Sequence, residues 1–580
     1  MPTIKEQLKT IFVKLGYEED KIHLEYPANE SYGDYSSNIA MVLSKELGQN
    51  PMDTAKEIVT KLEADGSVSE IVGKINIAKP GFINFTLSNK VLLDTIDRIN
   101  IQKNKFGNVV SSNPEKIIIE YSSPNTNKPL HIGHLRNNFT GMALGNILKS
   151  QGHDILFTEV VNDRGVHICK SMLAYQMWGE GDTPEKVGLK GDHFVGMYYV
   201  KYGQEEKVNP DLANQTQELL KKWEDGDEDT RRLWRQMNDW AEQGYSQTYK
   251  KIGSHFDFRD YESKIYDKGR DIIIKSLGEG KAEKMDNGAV AVDLSSYKLG
   301  GREDGFKILL RSDGTTVYMT QDLYLAVKRQ QDHHPDKVFY VVGDDQVYHF
   351  KVLFKIFDIF GYGLKEGSLT HVPYAMVISS EGKFSSREGN APSADTIISE
   401  LEDMVKEQIT KRELDIEHGE LGERAEAIAL SAVKFLLLSV DSKSTVTFDA
   451  KASLDFEGNT GPYLLYTYAR LSSIYAKIES SGICNMNDLN YVPSDMERSI
   501  LLSLSRFPEI LSWSAHEMKP HYVAEYIYSL SAKINSWYAN HSVVKADNET
   551  KMWRMNLVIA SRHIICNGLR LLGIEPVDQM

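Results

Sequence analysis

The chain has 580 residues, and its 67 Lys plus Arg against 82 Asp plus Glu give a net charge of -15 at pH 7. A composition of 41% hydrophobic, 10% aromatic and 26% charged residues is that of a folded globular protein and excludes a largely disordered or collagen-like chain. A uniformly basic nucleic-acid coat is excluded as well, although a confined basic face is not, because a partner responds to the field at its own docking surface.

The length suggests roughly three or four domains. Residues 1–108 open with helical spacing at Ile4, Leu8, Ile11 and Phe12 and end in a strand-like run, Gly81 to Leu87, so they read as an α+β module. The polar punctuation Ser111-Ser112-Asn113-Pro114 follows, and from about 109 to 398 the pattern becomes that of a doubly wound, Rossmann-like parallel α/β sheet. Ile117-Ile118-Ile119 reads as a buried strand, a helix with an apolar face at Leu135, Phe139, Met142, Ile147 and Leu148 follows, and Ile155-Leu156-Phe157 opens the next strand. Gly152 is the expected helix stop. Later strands are expected at Val338–Val342 and Tyr374–Ile378, with a long insertion at about 180–320. The acidic run from Glu224 to Asp229 inside it reads as a solvated helix start or loop. From about 400 the spacing is helical throughout, giving a connective region at 399–455 and an all-helical domain at 456–580. That domain is rich in aromatics, including Tyr463, Tyr466, Trp513, Tyr528, Trp537, Tyr538 and Trp553; about two thirds of them are expected in the core.

Cys169, Cys484 and Cys566 form no CxxC pair, so neither a disulfide framework nor a structural zinc site is favoured, and a reducing cytoplasm is expected. Cys169 lies two residues after His167, but no further ligands follow at zinc-like spacing, so it reads as a buried thiol and no resident metal is expected. The first thirty residues lack the apolar stretch of a signal peptide. The longest apolar stretch, Ala427 to Val440, carries Lys434 and falls short of the roughly 20 residues a membrane span needs.

Two segments carry chemistry. Ser123-Pro124-Asn125-Thr126-Asn127-Lys128-Pro129-Leu130-His131-Ile132-Gly133-His134 sits where the first strand of the sheet hands over to its helix, the phosphate-receiving corner of such a fold. Two imidazoles there can donate to phosphate oxygens, and the missing side chain at Gly133 lets a nucleotide approach the backbone. Gly382-Lys383-Phe384-Ser385-Ser386-Arg387 follows a later strand and can neutralise charge on a departing pyrophosphate.

With HIGH at 131–134 and a KMSKS-like loop at 383–387, the chain resembles a class I aminoacyl-tRNA synthetase, and more specifically the arginyl-tRNA synthetases. Further strings carry that resemblance along nearly the whole chain: Glu120 to Asn125, Arg311 to Thr315 with Tyr318 and Asp322, Val342 to Phe350, Gly33-Asp34-Tyr35, Pro80 to Phe85, and Gly458 to Tyr463. The resemblance implies ATP with Mg2+, L-arginine and tRNA(Arg) as substrates and partners, with a tRNA-contacting N-terminal domain, an anticodon-binding C-terminal domain, a monomer in the cytoplasm, and activation that needs bound tRNA. It implies His131, His134, Lys128, Lys383 and Ser385 as catalytic groups, with Gly133, Gly343 and Ser386 joining His131, His134, Lys383 and Ser385 around ATP. Glu120, Tyr318 and Asp322 would meet the guanidinium, and Asn125, Gln346 and Ser123 the α-amino and carboxylate end. Two acids and a phenol suit a planar cation with five donors. Ser386 stands where the family's loop has its second lysine, and Lys128 is expected to compensate. Two other readings stay open: an HxGH nucleotidyltransferase acting on a small metabolite, which has no need of the C-terminal helical third, and a non-catalytic tRNA-binding paralogue.

Overall fold

The computed structural model describes residues 2–27, 29–299, 305–362, 367–379, 382–383, 392–411, 418–477, 486, 489 and 491–580, with the backbone alone for Glu30, Gly382, Lys383, His418 and Gly419. The chain divides into two units: Ser111–Asp455 with Met518–His521, and Met1–Val110 with Phe456–Glu517 and Tyr522–Met580.

The first unit is built on a five-stranded parallel sheet. Its strands are β1 (Lys116–Glu120), β2 (Asp154–Val161), β3 (Phe258–Tyr261), β4 (Lys337–Gly343) and β5 (Leu369–Tyr374), in the order β5-β4-β1-β2-β3. Ile117, Ile118 and Ile119 of β1 are buried on both faces, as an unbroken apolar run in the middle of a parallel sheet should be. The chain leaves β1 for β2 on one side and returns to β4 on the other. The order therefore reverses between β1 and β4, and a crevice opens at their carboxyl ends, where ligands bind in doubly wound sheets.

Helix α1 (Ile132–Ser150) makes the crossover from β1 to β2 and is buried around nearly its whole circumference. Close packing explains Gly145, where a Cβ would stand 2.2 Å from the Phe157 ring. The helix ends at Gln151, and Gly152 follows at φ +85°, as expected. Arg136 is fully buried on α1 and donates to the carbonyls of Ala375 (2.8 Å), Met376 (3.2 Å), Asp441 (3.3 Å), Ser442 (3.0 Å) and Ser444 (2.7 Å).

Those carbonyls correct one expectation. Tyr374–Ile378 is not one strand: β5 ends at Tyr374, and Val377–Ser379 pairs instead with Val446–Phe448. Ala375 and Met376 turn their carbonyls to the Arg136 guanidinium, and the Met376 carbonyl also accepts from Val446 N–H (3.2 Å) of the strand Val446–Phe448. The expected insertion also differs, because β3 lies inside it and pairs with β2. What separates β2 from β3 is helical: α2 (Val166–Trp178), a short helix Pro184–Val187, α3 (Gly191–Glu205), α4 (Leu212–Glu224) and α5 (Glu228–Ile252). The acidic run ends α4 and starts α5, with Asp227 capping the Thr230 N–H. Beyond the small antiparallel sheet Phe306–Leu310, Val290–Asp293 and Glu283–Lys284 come α6 (Tyr318–His333) and α7 (Val347–Ile359), and after β5 α8 (Ala394–Lys411) and α9 (His418–Leu438).

In the second unit the N-terminal and C-terminal segments fold together. A four-stranded antiparallel sheet of Leu24–Glu25, Tyr35–Ser37, Phe82–Leu87 and Val72–Ala78 belongs to the α+β module. Asp34, nearly buried, accepts from Arg498 Nη1 (3.1 Å) and Nη2 (2.7 Å), and Glu509 accepts from the hydroxyls of Tyr26 (2.6 Å) and Tyr35 (2.8 Å). The Gly33-Asp34-Tyr35 string thus serves the joint with the C-terminal helices. Of the aromatics there, Trp537 and Trp553 are buried, whereas Tyr466 and Trp513 are exposed.

Candidate active site

The loop from β1 to α1 carries the histidine motif to the crevice. Ser122 and Ser123 take positive φ values of 75° and 53°, and Ser123 is spent on holding the loop: its hydroxyl oxygen accepts from Val160 N–H (3.0 Å) and its carbonyl from Asn162 Nδ2 (2.8 Å). His131 is the N-cap of α1. Its Nδ1 accepts from Gly133 N–H (3.2 Å), and His134 Nδ1 accepts from the His131 backbone N–H (3.1 Å). A nitrogen that accepts carries no proton, so both neutral rings keep their hydrogen on Nε2. Burial, reinforced by Lys128, pulls His131 down to about 4, and burial, then His131 and Lys128, holds His134 well below the ordinary imidazole value. At neutral pH the motif is a stacked, uncharged pair, ring centroids 3.8 Å apart, with two N–H donors at the positive end of a helix. The room at Gly133 is used differently from the expectation: a Cβ would stand 3.1 Å from the His131 ring, so the missing side chain admits that ring before any nucleotide.

Glu120 ends β1 and is buried, and its carboxylate is paired with Arg329, which lies wholly buried on α6 and also bonds Asp260 through Nε at 3.0 Å. Tyr318 and Asp322 both lie in the first turns of α6 on one face. Tyr318 is 75% exposed, and Asp322 meets His349 Nε2 at 2.6 Å. Gln346 donates to Asp345 (2.9 Å), and Asn125 is exposed with its carbonyl held by the Tyr245 hydroxyl (2.7 Å). Gly343 closes β4, where a Cβ would stand 2.7 Å from Asp345 Oδ1.

One acid escaped the sequence reading. Glu262 follows β3, and burial pushes its carboxyl up to about 7, with Arg164 opposing and Asp163 and Asp322 adding to the rise. Asp322 raises Glu120 in the same way, behind the dominant effect of burial. Asp322 is thus felt by both Glu262 and Glu120, of which Glu120 already has Arg329 as its cationic partner. The only sequence signal for Glu262 was its place after a strand hidden in the presumed insertion.

Lys128 and His131 line a cavity of about 550 Å³ together with His193, Tyr199, Lys201 and Ser393. Lys383 lies on the strand Gly382–Lys383, paired with Val377–Ser379, and its side chain is outside the described residues, as are Ser385, Ser386 and Arg387. Among the described residues, one group of metal-ligand types converges, Asp192, His193 and Asp395, but Lys190 Nζ bonds both acids and supplies the positive charge. His167 Nδ1 is 3.5 Å from the Tyr199 hydroxyl. Cys169 is buried, which pushes its thiol up to about 12.

Three family models match in chain order: arginyl tRNA synthetase N terminal domain at 2–87, tRNA synthetases class I (R), catalytic domain, at 95–449, and DALR anticodon binding domain at 464–580. The chain belongs to the class I arginyl-tRNA synthetase family. An arginine–tRNA ligase of Bacteroides fragilis is 37% identical with 100% of both chains covered, and one of Amoebophilus asiaticus is 39% identical with 88% of each covered. Among solved structures, the arginyl-tRNA synthetase of Thermus thermophilus superposes with a TM-score of 0.85 at 23% identity, covering 100% of this chain and 99% of that one. That of Plasmodium falciparum gives 0.78 at 22% identity, with 100% of both covered. These likenesses place the family's fold over the whole chain. Among the described residues, no helix is long and apolar enough to cross a membrane.

Proposed function

We propose that the chain is an arginine–tRNA ligase, which activates L-arginine with ATP to arginyl-adenylate and transfers the arginyl group to the 3′-terminal adenosine of tRNA(Arg). The observation that carries this reading is the full-length match to curated arginine–tRNA ligases, 37% identical over the whole chain. The DALR match argues against a small-metabolite nucleotidyltransferase, which has no use for such a domain.

In the first step the arginine carboxylate attacks the α-phosphorus in line and pyrophosphate leaves. Positioning and charge stabilisation carry such a step, so the protein needs no nucleophile. ATP enters as its Mg2+ complex. His131 and His134 donate Nε2–H to phosphate and ribose oxygens near Gly133 and Gly343. Lys128 and Lys383 oppose the charge on the transferring and leaving groups, and Ser385 and Ser386 add hydroxyl donors. Glu120, Asp322 and Glu262 receive the guanidinium beside Tyr318, while Asn125 and Gln346 hold the other end. The ribose 2′-hydroxyl of the terminal adenosine then attacks the mixed anhydride. The Met1–Val110 segment contacts tRNA, and the C-terminal helices, where Tyr466 and Trp513 are exposed, receive the anticodon. The enzyme acts as a cytoplasmic monomer.

Glu262 gives this reading a pH signature. Its carboxyl, raised to about 7, is protonated below that pH in the free enzyme, while a guanidinium prefers the ionised form. Arginine binding is expected to release a proton and to tighten as pH rises from 6 to 8, by up to about tenfold per unit where one proton is exchanged. The raised value also means that Glu262 favours the fold at low pH, a contribution lost as pH rises through about 7. Calorimetric titration with arginine in buffers of different ionisation heat reads the proton release, and Glu262→Gln should abolish it; a pH-independent affinity in the parent chain would remove Glu262 from the pocket. The function itself is tested by charging tRNA(Arg) with labelled arginine.

A further inference from the structure

Three elements to which the proposed chemistry gives no role grip the segment that carries Lys128 and His131. From α5, the Tyr245 hydroxyl reaches the carbonyls of Asn125 (2.7 Å) and Lys128 (2.6 Å). From α3, Gly196 lies so close that a Cβ would stand 2.7 Å from Pro129 Cδ and 3.3 Å from Lys128 Cα. At the start of α8, Ser393 forms a β-bridge with His131, and Ala394 N–H donates to Leu130 O at 2.7 Å.

These elements are fastened to one another at a single carboxylate. Asp395 Oδ2 accepts from Lys190 Nζ (2.7 Å), at the N-cap of α3, and meets His193 Nε2 (2.9 Å). Its Oδ1 accepts from the Thr248 hydroxyl (3.0 Å), one turn beyond Tyr245 on α5. Lys190 also bonds Thr248 and the wholly buried Asp192 (3.2 Å). The backbone two residues before Asp395 is the one that bridges His131, so little slack separates the bolt from the motif.

We infer that Asp395 is a positioning residue for amino-acid activation: by tying α3 and α5 to the first turn of α8, it fixes the backbone of Leu130 and His131 and, through them, the reacting phosphates. Asp395 touches neither substrate in this account; it acts through the loop. Lys190 already neutralises the cluster, so no divalent ion is required there. The inference rests on the activation reaction proposed above.

The test uses the full-length chain with Asp395→Asn, Asp395→Ala and Asp395→Glu. Rates per active site, counted by adenylate titration, are expected to fall about 30–100-fold in the Asn and Ala variants, with KM for ATP and arginine within about threefold, because misplacing a catalytic group costs rate more than affinity. Asp395→Glu should recover part of the loss. Amide hydrogen exchange of the peptide spanning 125–135 should quicken in the Asn and Ala variants, a readout that needs no turnover. If the parent chain activates no amino acid while this exchange still quickens, the functional reading fails and only the structural tie from Asp395 to the loop remains. An unchanged rate per active site, or a loss explained by fewer folded sites and a lower melting temperature alone, overturns the inference. So does recovery of the Asn variant by added divalent ions.

Discussion

Replacing Arg136 by methionine should lower the melting temperature by roughly 4 °C or more, the shift expected when about 3 kcal/mol or more is lost from a unit of about 350 residues. The cost comes less from lost attraction than from what remains behind. The carbonyls of Ala375, Met376, Asp441, Ser442 and Ser444 converge on one buried guanidinium, and methionine offers them no donor. Arg136→Lys keeps the charge but not the planar fork, so it should fall between parent and methionine. Differential scanning calorimetry with ligand-free protein measures this directly. An unchanged melting temperature would mean that those carbonyls find other partners and that Arg136 does not hold the segments together.

The second large effect is catalytic. His134→Ala should lower the rate of arginyl-adenylate formation about 10²–10³-fold, the usual cost of one preorganised donor to developing charge, with KM for arginine nearly unchanged. Part of the loss is indirect, because His134 Nδ1 is the acceptor for the His131 backbone N–H. His131 is held down to about 4 and His134 well below its ordinary value, so neither imidazole titrates near 6.5. Protonation of the pair, and the loss of what its neutral form contributes to folding, is confined to acid pH, below the unfolded value of about 6.5. Pre-steady-state adenylate formation at saturating arginine should therefore be flat between pH 6 and 8 with respect to these rings, whereas arginine affinity should vary through Glu262. A near-parental rate in His134→Ala would remove the histidine motif from the chemistry.

The centre of the fold was legible because its signals are local. Three consecutive isoleucines can hardly be anything but a buried strand, and the Pro- and Asn-rich stretch before His131 marks the turn into α1. What escaped depends on partners far away in sequence. β3 has four residues, Phe258-Arg259-Asp260-Tyr261, and Asp260 is the buried one because Arg329 reaches it, so no apolar periodicity announces a strand. Tyr374–Ile378 looks like one strand, but Arg136 and the distant 442–446 segment, which accepts from Ala375 N–H and donates to Met376 O, draw the chain out of the sheet at Ala375. The carbonyl and carboxylate partners of Arg136 and Arg329 lie far away in sequence, so no local pattern announces their burial. For the site, the histidine motif could be placed from spacing, but the tautomers of His131 and His134 follow from which backbone N–H groups meet their Nδ1 atoms. Gly133 was read as room for a nucleotide, whereas His131 fills that room first. Glu262 and Asp395 carry no motif of their own, and their surroundings come from β3 and from α3, α5 and α8.

The central claim is that this chain activates arginine. Arginine-dependent ATP–pyrophosphate exchange by the purified chain, with and without homologous tRNA and with lysine and glutamate as competing substrates, tests it most directly. Exchange is expected with arginine alone among the three and only when tRNA is present. Exchange with arginine in the absence of tRNA would keep the enzyme and refute the coupling to tRNA. No exchange with any amino acid, while labelled tRNA still binds, would contradict the account and leave a tRNA-binding protein with an idle catalytic fold.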